Sequence, residues 1–375
     1  MLIRRLALAT VFFFQLNLVA GGQVIGWGTF YSSTITNDPP DDLGDVVALA
    51  GGTYTSLALR SDGTVASWGP ELAPPGLSNI TAISAGGGFY LALQTNGTIV
   101  AWGRNDHGQT NVPSDLTNVV AISASMTAHA LALRSDGTVT NWGWYNVANP
   151  ALATVPASAT NVMAIAAGSN HDLVLRRDGT VVAWGANDAF SNFQATVPAG
   201  LSNVIAIAAG GQSSIALKSD GSVVSWGYWS SFQPVLTNVV AISAGYTHCL
   251  ALHRDRTVTA WGPRDWDGPG MGTVPPGLSN VIAIASAPSY DLFLLGPSEP
   301  FALDSGQFGI QPSIGAVTIG LRGSSGQHAI RVHASMDLLH WDPVWTNSAA
   351  AGVIQLIDAG AIGAPQRYYR LEEMK

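Results

Sequence analysis

The chain has 375 residues, a formal net charge of −8 and only 11% charged residues, so it lacks the basic footprint of a nucleic-acid-binding protein. Its 42 glycines and 20 prolines suit many short strands joined by tight turns rather than long solvated helices. A single cysteine, Cys249, excludes an internal disulfide, and its place in an apolar strand marks it as a buried, inert thiol.

Residues 1–21 open with Arg4 and Arg5, continue as an apolar run from Leu6 to Phe14, and end in small residues around Ala20 and Gly21. That is the layout of a secretory signal peptide. The run is too short for a bilayer span of ~20 residues. The expectation is an exported protein, secreted or held in the periplasm or at the cell surface, with no membrane insertion once the leader is removed.

From residue 22 to residue 295 the sequence is periodic. Trp-Gly recurs at Trp27, Trp68, Trp102, Trp142, Trp184, Trp226 and Trp261, at spacings of 41, 34, 40, 42, 42 and 35. A period in this range signals a propeller or a solenoid. The unit is clearest at 160–185, TNVMAIAAGSNHDLVLRRDGTVVAWG. It reads as three short strands, Val162–Ala167, Leu173–Leu175 and Thr180–Trp184. Asp178-Gly179 lies between the last two, a strong hairpin signal because glycine accepts the positive φ of a tight turn.

The phase of the repeats selects the architecture. The N-terminal member, Gly22–Gly28, has only the third strand, and the C-terminal member, Val281–Leu295, has only the first two. Each fragment lacks what the other has, so the two predict a shared seventh blade and no raw sheet edges at the ends. The first strands, such as Val204–Ala209, are continuous apolar runs without polar alternation, the pattern of strands buried on both faces. Alternating alanines permit close approach at an axis, and the tryptophans fill the wider space outside. The fold class is therefore all-β: a seven-bladed β-propeller closed by its N- and C-terminal strands, over residues 22–295.

The pattern AIAAG-x-x-H-x-L-x-L-x-x-DGTVVAWG at 164–185 resembles the repeat of the RCC1 (regulator of chromosome condensation) family. The resemblance covers about residues 22–295 and implies a seven-bladed propeller. The short repeats and the export signal are more similar to secreted bacterial members, among them the β-lactamase-inhibitor propellers. They imply, as one protein partner, a penicillin-binding or β-lactamase-type enzyme. The export signal, the acidic balance and the absence of a long wedge between repeats separate the chain from the family's nuclear guanine-nucleotide exchange factor. Arg256 replaces the turn glycine of the sixth hairpin, and Ala124-Ser125 and Ser286-Ala287 replace Ala-Gly, so local turn shape is expected to change there.

Strand direction sorts the loops onto two ends. The hairpin turns, including Ser61-Asp62-Gly63, Thr95-Asn96-Gly97, Ser135-Asp136-Gly137, Arg177-Asp178-Gly179 and Ser219-Asp220-Gly221, are monotonous, and turn geometry alone explains them. The opposite end varies and is rich in aromatics. After Trp-Gly come Phe30, Tyr31, Trp144, Tyr145, Phe190, Phe193, Tyr228, Trp229, Phe232 and Trp266. The first-to-second turns add Tyr54, Phe89, Tyr90, Tyr246 and Tyr290. Aromatics give large contact area at little entropic cost, so the ten residues after Trp-Gly form the candidate binding face.

His129, His171 and His248 share one repeat position on different blades, which favours a structural hydrogen-bonding role over a metal site. No nucleophile motif, phosphate loop, paired carboxylates or zinc spacing occurs, so no catalytic residue, cofactor or metal is expected. The reading is an exported, non-enzymatic scaffold that captures a protein or a cell-surface polymer. A carbohydrate-active or lytic envelope enzyme using the same face, and a structural surface protein without a specific ligand, are the alternatives.

Gly296-Pro297-Ser298-Glu299-Pro300 reads as a linker, where the period stops. Strand-like runs at 316–321, 329–333, 353–357 and 367–371 predict a small antiparallel β-sandwich over 296–375.

Overall fold

The computed structural model describes residues 23–28, 39–143, 154–186, 193–262, 272–296, 302–311, 316–322, 329–335, 342–347, 352–357 and 368–374. Side chains are described up to Gly296, that of Trp229 excepted. The proposed leader, 1–21, lies outside the described residues. The chain divides into two units, Met1–Leu295 and Gly296–Lys375.

In the first unit β1 (Val24–Trp27) precedes six three-stranded antiparallel sheets. They are β2 (Val46–Gly51), β3 (Ser56–Arg60) and β4 (Val65–Trp68); β5 (Ile80–Ala85), β6 (Phe89–Gln94) and β7 (Ile99–Gly103); β8 (Val119–Ala124), β9 (His129–Arg134) and β10 (Val139–Gly143). Next come β11 (Val162–Ala167), β12 (His171–Arg176) and β13 (Val181–Gly185); β14 (Val204–Ala209), β15 (Ser213–Lys218) and β16 (Val223–Gly227); β17 (Val239–Ala244), β18 (Cys249–His253) and β19 (Val258–Trp261). The seventh sheet takes β20 (Val281–Ser286) and β21 (Asp291–Leu295) from the end of the unit and β1 from its start, in the order β1-β21-β20. β1 runs antiparallel to β21 from Val24↔Leu294 to Trp27↔Asp291. That is the register by which Trp184 faces Asp172 inside a continuous repeat.

A feature unseen in the sequence recurs in every first strand: the register shifts at its second residue, for example between Val162 and Ala164 and between Val204 and Ala206. Such a bulge bends a strand and increases its twist. The core lies between neighbouring sheets. Leu131 and Leu133 of the third pack with Ile165, Leu173, Leu175 and Trp184 of the fourth and with Ile207 and Trp226 of the fifth. Each buried leucine here is worth ~2–5 kcal/mol against alanine.

Near the axis, serines replace alanines where they bridge neighbouring sheets. Ser84 Oγ accepts from Ala124 N at 2.9 Å, Ser123 Oγ from Ala167 N at 3.0 Å and Ser243 Oγ from Ser286 N at 2.9 Å. The hairpin ends are tied as well: Ile80 N donates to Gly63 O and Val204 N to Gly179 O, each at 3.0 Å. The sixth hairpin keeps its shape despite Arg256. Arg256 sits at φ 68°, close to the glycine values of 77–83° at Gly63, Gly97, Gly137, Gly179 and Gly221. The same bonds close this turn, from Arg256 N to His253 O and from Val281 N to Arg256 O, both 3.0 Å. The expected change of turn shape is thus corrected.

The second unit has two three-stranded antiparallel sheets. One orders β22 (Ala302–Gln311), β23 (Ala316–Arg322) and β26 (Gly352–Ile357); the other places β24 (Ala329–Ser335) between β25 (Asp342–Asn347) and β27 (Tyr368–Met374). β22 and β25 are strands that the hydrophobic pattern did not reveal. β22 holds Asp304, Ser305, Gly306 and Gln307, and β25 opens on Asp342-Pro343.

Candidate functional site

The aromatic end is built on the glycine of Trp-Gly. All seven of these glycines have positive φ, from 90° at Gly143 to 148° at Gly262. A Cβ on Gly185 would meet the backbone of Asn170 and His171 at 2.5–2.6 Å, and the others meet the same neighbours in their own sheets. Only glycine lets the outer strand leave this close to the first-to-second turn.

The departing segments then cross to the next sheet. Buried Gln109 and Gln194 anchor two of them. The Trp142 indole N–H donates to Gln109 O and the Trp226 indole N–H to Gln194 O, both at 2.9 Å. Gln194 O also accepts from Ser214 Oγ at 2.8 Å, and its side-chain amide donates to Ala186 O at 2.9 Å. Sequence reasoning missed both glutamines. The shared signal was present in Gln-Thr-Asn-Val-Pro and Gln-Ala-Thr-Val-Pro, at matching places in two linkers.

Next to Gln194, Phe193 is 57% exposed, on a left-handed backbone of φ 53°. Across the sheet boundary Gly227 approaches the Gln194 Cβ, and Tyr228–Phe232 forms a short 3-10 helix. Tyr228 N donates to Gln212 O at 2.9 Å, and neighbouring Gly211 donates to Gly245 O at 3.1 Å. Gly211 also abuts Tyr246. Phe193, Tyr228, Phe232 and Tyr246 are thus exposed on segments that adjoin one another along the fourth, fifth and sixth sheets. Between Gly168 and Gly262, the described residues of the turns and linkers at this end carry no Asp, Glu, Lys or Arg. Glu71, Arg104, Asp106 and Asp115 lie in linkers leaving the first two sheets.

Of the other candidates, Phe30, Tyr31, Trp144, Tyr145, Phe190 and Trp266 lie outside the described residues, and of Trp229 only the backbone is described, within the 3-10 helix. Three of the turn aromatics belong to the core instead. Phe89, Tyr90 and Tyr290 are wholly buried. Phe89 opens the second strand, Tyr90 stacks on Trp102 at a centroid distance of 5.6 Å, and burial pushes the Tyr90 hydroxyl up to about 12. Tyr54, 50% exposed, remains at the surface.

The repeat position of the histidines forms a buried belt between sheets. His129 Nε2 meets Asp172 Oδ1 at 2.9 Å, His171 Nε2 meets Ser214 Oγ at 2.9 Å, and His248 Nε2 meets Asp291 Oδ1 at 2.7 Å. The Tyr290 hydroxyl and Ser56 Oγ lie 2.7 Å apart, which links the seventh sheet to the first. Each contact joins the start of a second strand to the next residue position in the following sheet, a structural use of these side chains. Burial lowers His171 to about 4 and raises the Cys249 thiol. Among the described residues no three His, Cys, Asp or Glu side chains are grouped to hold a metal ion. An open depression of about 650 Å³, lined by Val235, Thr237, His253 and Arg254, lies at the hairpin end of the sixth sheet, away from the aromatics.

A family model of the regulator of chromosome condensation (RCC1) repeat matches residues 80–109, 163–190, 204–233 and 239–262. No curated protein matches the sequence. Among solved structures, Prp20p of Saccharomyces cerevisiae, studied for its binding to Gsp1p and histones, is 20% identical over 74% of this chain and 92% of its own, with a TM-score of 0.58. Yeast Prp20 is also known bound to Kap60, at 18% identity, 78% and 91% coverage and a TM-score of 0.58. Human WBSCR16 matches at 16% identity over 74% of this chain and 99% of its own, with a TM-score of 0.56. Identity this low carries the fold alone. The chain thus carries RCC1 repeats at four places within a β-propeller of seven three-stranded sheets, a fold similar to that of Prp20.

Proposed function

We propose that the protein is an exported, non-enzymatic scaffold that captures a protein partner on the aromatic end of its propeller. The observation that carries this reading is the run of exposed Phe193, Tyr228, Phe232 and Tyr246 over three successive sheets. Aromatic side chains of this kind dominate binding hot spots because they desolvate a large area while losing few rotamers. The association of Prp20 with Gsp1p, histones and Kap60 supports protein capture as a general use of such a propeller. The layout of residues 1–21 supports export, and with it a partner outside the cytoplasm, as a soluble protein or one at the cell envelope.

The described part of this surface is uncharged, so capture should depend little on ionic strength. The test is a pull-down from envelope extract with full-length protein harvested outside the cytoplasm. Tyr228→Ala with Phe232→Ala should lower partner affinity at least tenfold and leave the melting temperature within a few degrees, since both rings are half exposed. Undiminished capture by the double variant, capture that collapses in moderate salt, or retention of an unprocessed chain in the cytoplasm each overturns part of the reading. Displacement of the partner by a neutral polysaccharide would transfer the surface to a polymer ligand.

A further inference from the structure

The hairpin turns contain one chemical exception. Five of the six described turns carry aspartate before the positive-φ residue: Asp62, Asp136, Asp178, Asp220 and Asp255. The second carries Asn96, and Asn96-Gly97 is the one Asn-Gly dipeptide in the chain. The geometry hardly differs. Thr98 donates to Asn96 Oδ1 from its N–H at 3.0 Å and from its hydroxyl at 2.7 Å. Thr64 does the same to Asp62 Oδ1 at 2.9 and 2.7 Å.

We propose that Asn96 is a self-modification site, which the hairpin converts to aspartate by intramolecular deamidation. Gly97 N is the nucleophile; no Cβ on that residue blocks its approach to Asn96 Cγ once its N–H leaves Gln94 O, 2.9 Å away. The Gly97 N–Asn96 Cγ bond forms as Gly97 N loses its proton to water. The tetrahedral carbon then expels the side-chain nitrogen as ammonia and leaves a succinimide ring. Water adds to the ring and opens it to a carboxylate. The Thr98 N–H points at Oδ1, the oxygen that takes up negative charge when Cγ is attacked, and the Thr98 hydroxyl, which also reaches Gln94 Oε1 at 2.8 Å, can turn to the same oxygen, an oxyanion-stabilising arrangement. Asn96 is exposed, so water reaches it.

The turn also selects between the two products. Ring opening to aspartate reproduces the pattern of the five sister turns. In those turns the Thr or Ser side-chain hydroxyl and backbone N–H hold the carboxyl below its ordinary value of 3.8. Ring opening to isoaspartate inserts a methylene into the main chain. Closing the ring gives up the 2.9 Å bond from Gly97 N to Gln94 O; opening to aspartate restores the backbone that makes it, and the longer isoaspartate backbone does not. Isoaspartate can return to the succinimide, so the folded hairpin accumulates aspartate.

The experiment is to hold the full chain at mildly alkaline pH and follow the peptide containing Asn96 by mass and by isoaspartate-specific methylation. The expected result is conversion at Asn96, with aspartate exceeding isoaspartate in the folded protein and the reverse in denaturant. Thr98→Val should slow conversion several-fold, Thr98→Ser should restore it, and Asn96→Asp should run with the modified form in charge separation. An unchanged Asn96, an excess of isoaspartate in the folded chain, or faster conversion in Thr98→Val would overturn the proposal.

Discussion

At the residue scale, strain and burial can be assigned to named side chains. Arg256 holds a left-handed backbone that costs a non-glycine residue ~1–2 kcal/mol. Its guanidinium recovers part of that through a 2.6 Å bond from Nη1 to Asn280 Oδ1. Arg256→Gly should therefore stabilise the protein by about 1 kcal/mol net in denaturant unfolding, and any destabilisation would show that the Asn280 bond outweighs the strain. His171 sets a pH dependence. Burial is the main cause of its fall from 6.5 to about 4, with Asp172 opposing and His129 adding to it. Between those values the unfolded chain binds a proton that the folded chain refuses, so stability rises with pH there. The contribution is complete above about pH 6.5, is lost as pH falls towards 4, and amounts to about 3 kcal/mol. Melting temperature should fall on acidification through that window, and His171→Gln should flatten the slope; an unchanged slope would place the effect elsewhere. The turn aspartates act only at lower pH, because their carboxyls are held below 3.8.

At the scale of elements, the propeller strands were legible because three local signals agreed: apolar runs, Asp-Gly turns and Trp-Gly ends. The bulge at the second residue of each first strand was not, since Met163 and Ile205 sit in apolar runs and nothing local marks them as extra. The linkers were legible by composition alone. Their aromatics are conspicuous, but the buried glutamine anchors read as ordinary polar loop residues. Gln233 shows why: its amide accepts from Ser225 N and donates to Val223 O, both at 2.7 Å, and so covers the outer edge of β16 as a peptide group would. Which aromatics face solvent was likewise hidden. Tyr246 and Tyr290 both follow a first strand. Tyr290 lies immediately before its second strand and is buried, whereas Tyr246 lies three residues before Cys249 and stays 42% exposed. A shift of two residues reverses the outcome, and sequence spacing does not display which neighbouring backbone fills the space. In the second unit β22 was missed because its alternation is broken by Asp304–Gln307, where its register with β23 also breaks.

At the scale of the molecule, everything above rests on how the first and last propeller strands share a sheet. Val24 packs in one apolar cluster with Leu43, Val46 and Trp68 from the start of the unit and Tyr290, Leu292 and Leu294 from its end. His248–Asp291 ties the seventh sheet to the sixth, and Tyr290–Ser56 ties it to the first. Removing β1 would strip the outer strand from β21, leave Asp291 without the indole strand opposite it, and uncover an apolar face between two sheets. The loss is not local, because the core is distributed between neighbouring sheets, so loosening the seventh weakens its contacts with both the sixth and the first. Deletion of residues 1–28 should accordingly lower the stability of the whole first unit by more than the ~2–5 kcal/mol of one core leucine. In native-state hydrogen exchange, protection should fall first in β20, β21 and β2 and least in β11–β13. If the deletion variant keeps the parent's melting temperature and its protection in β21, the shared sheet contributes nothing to stability, and the propeller holds as an open row of blades.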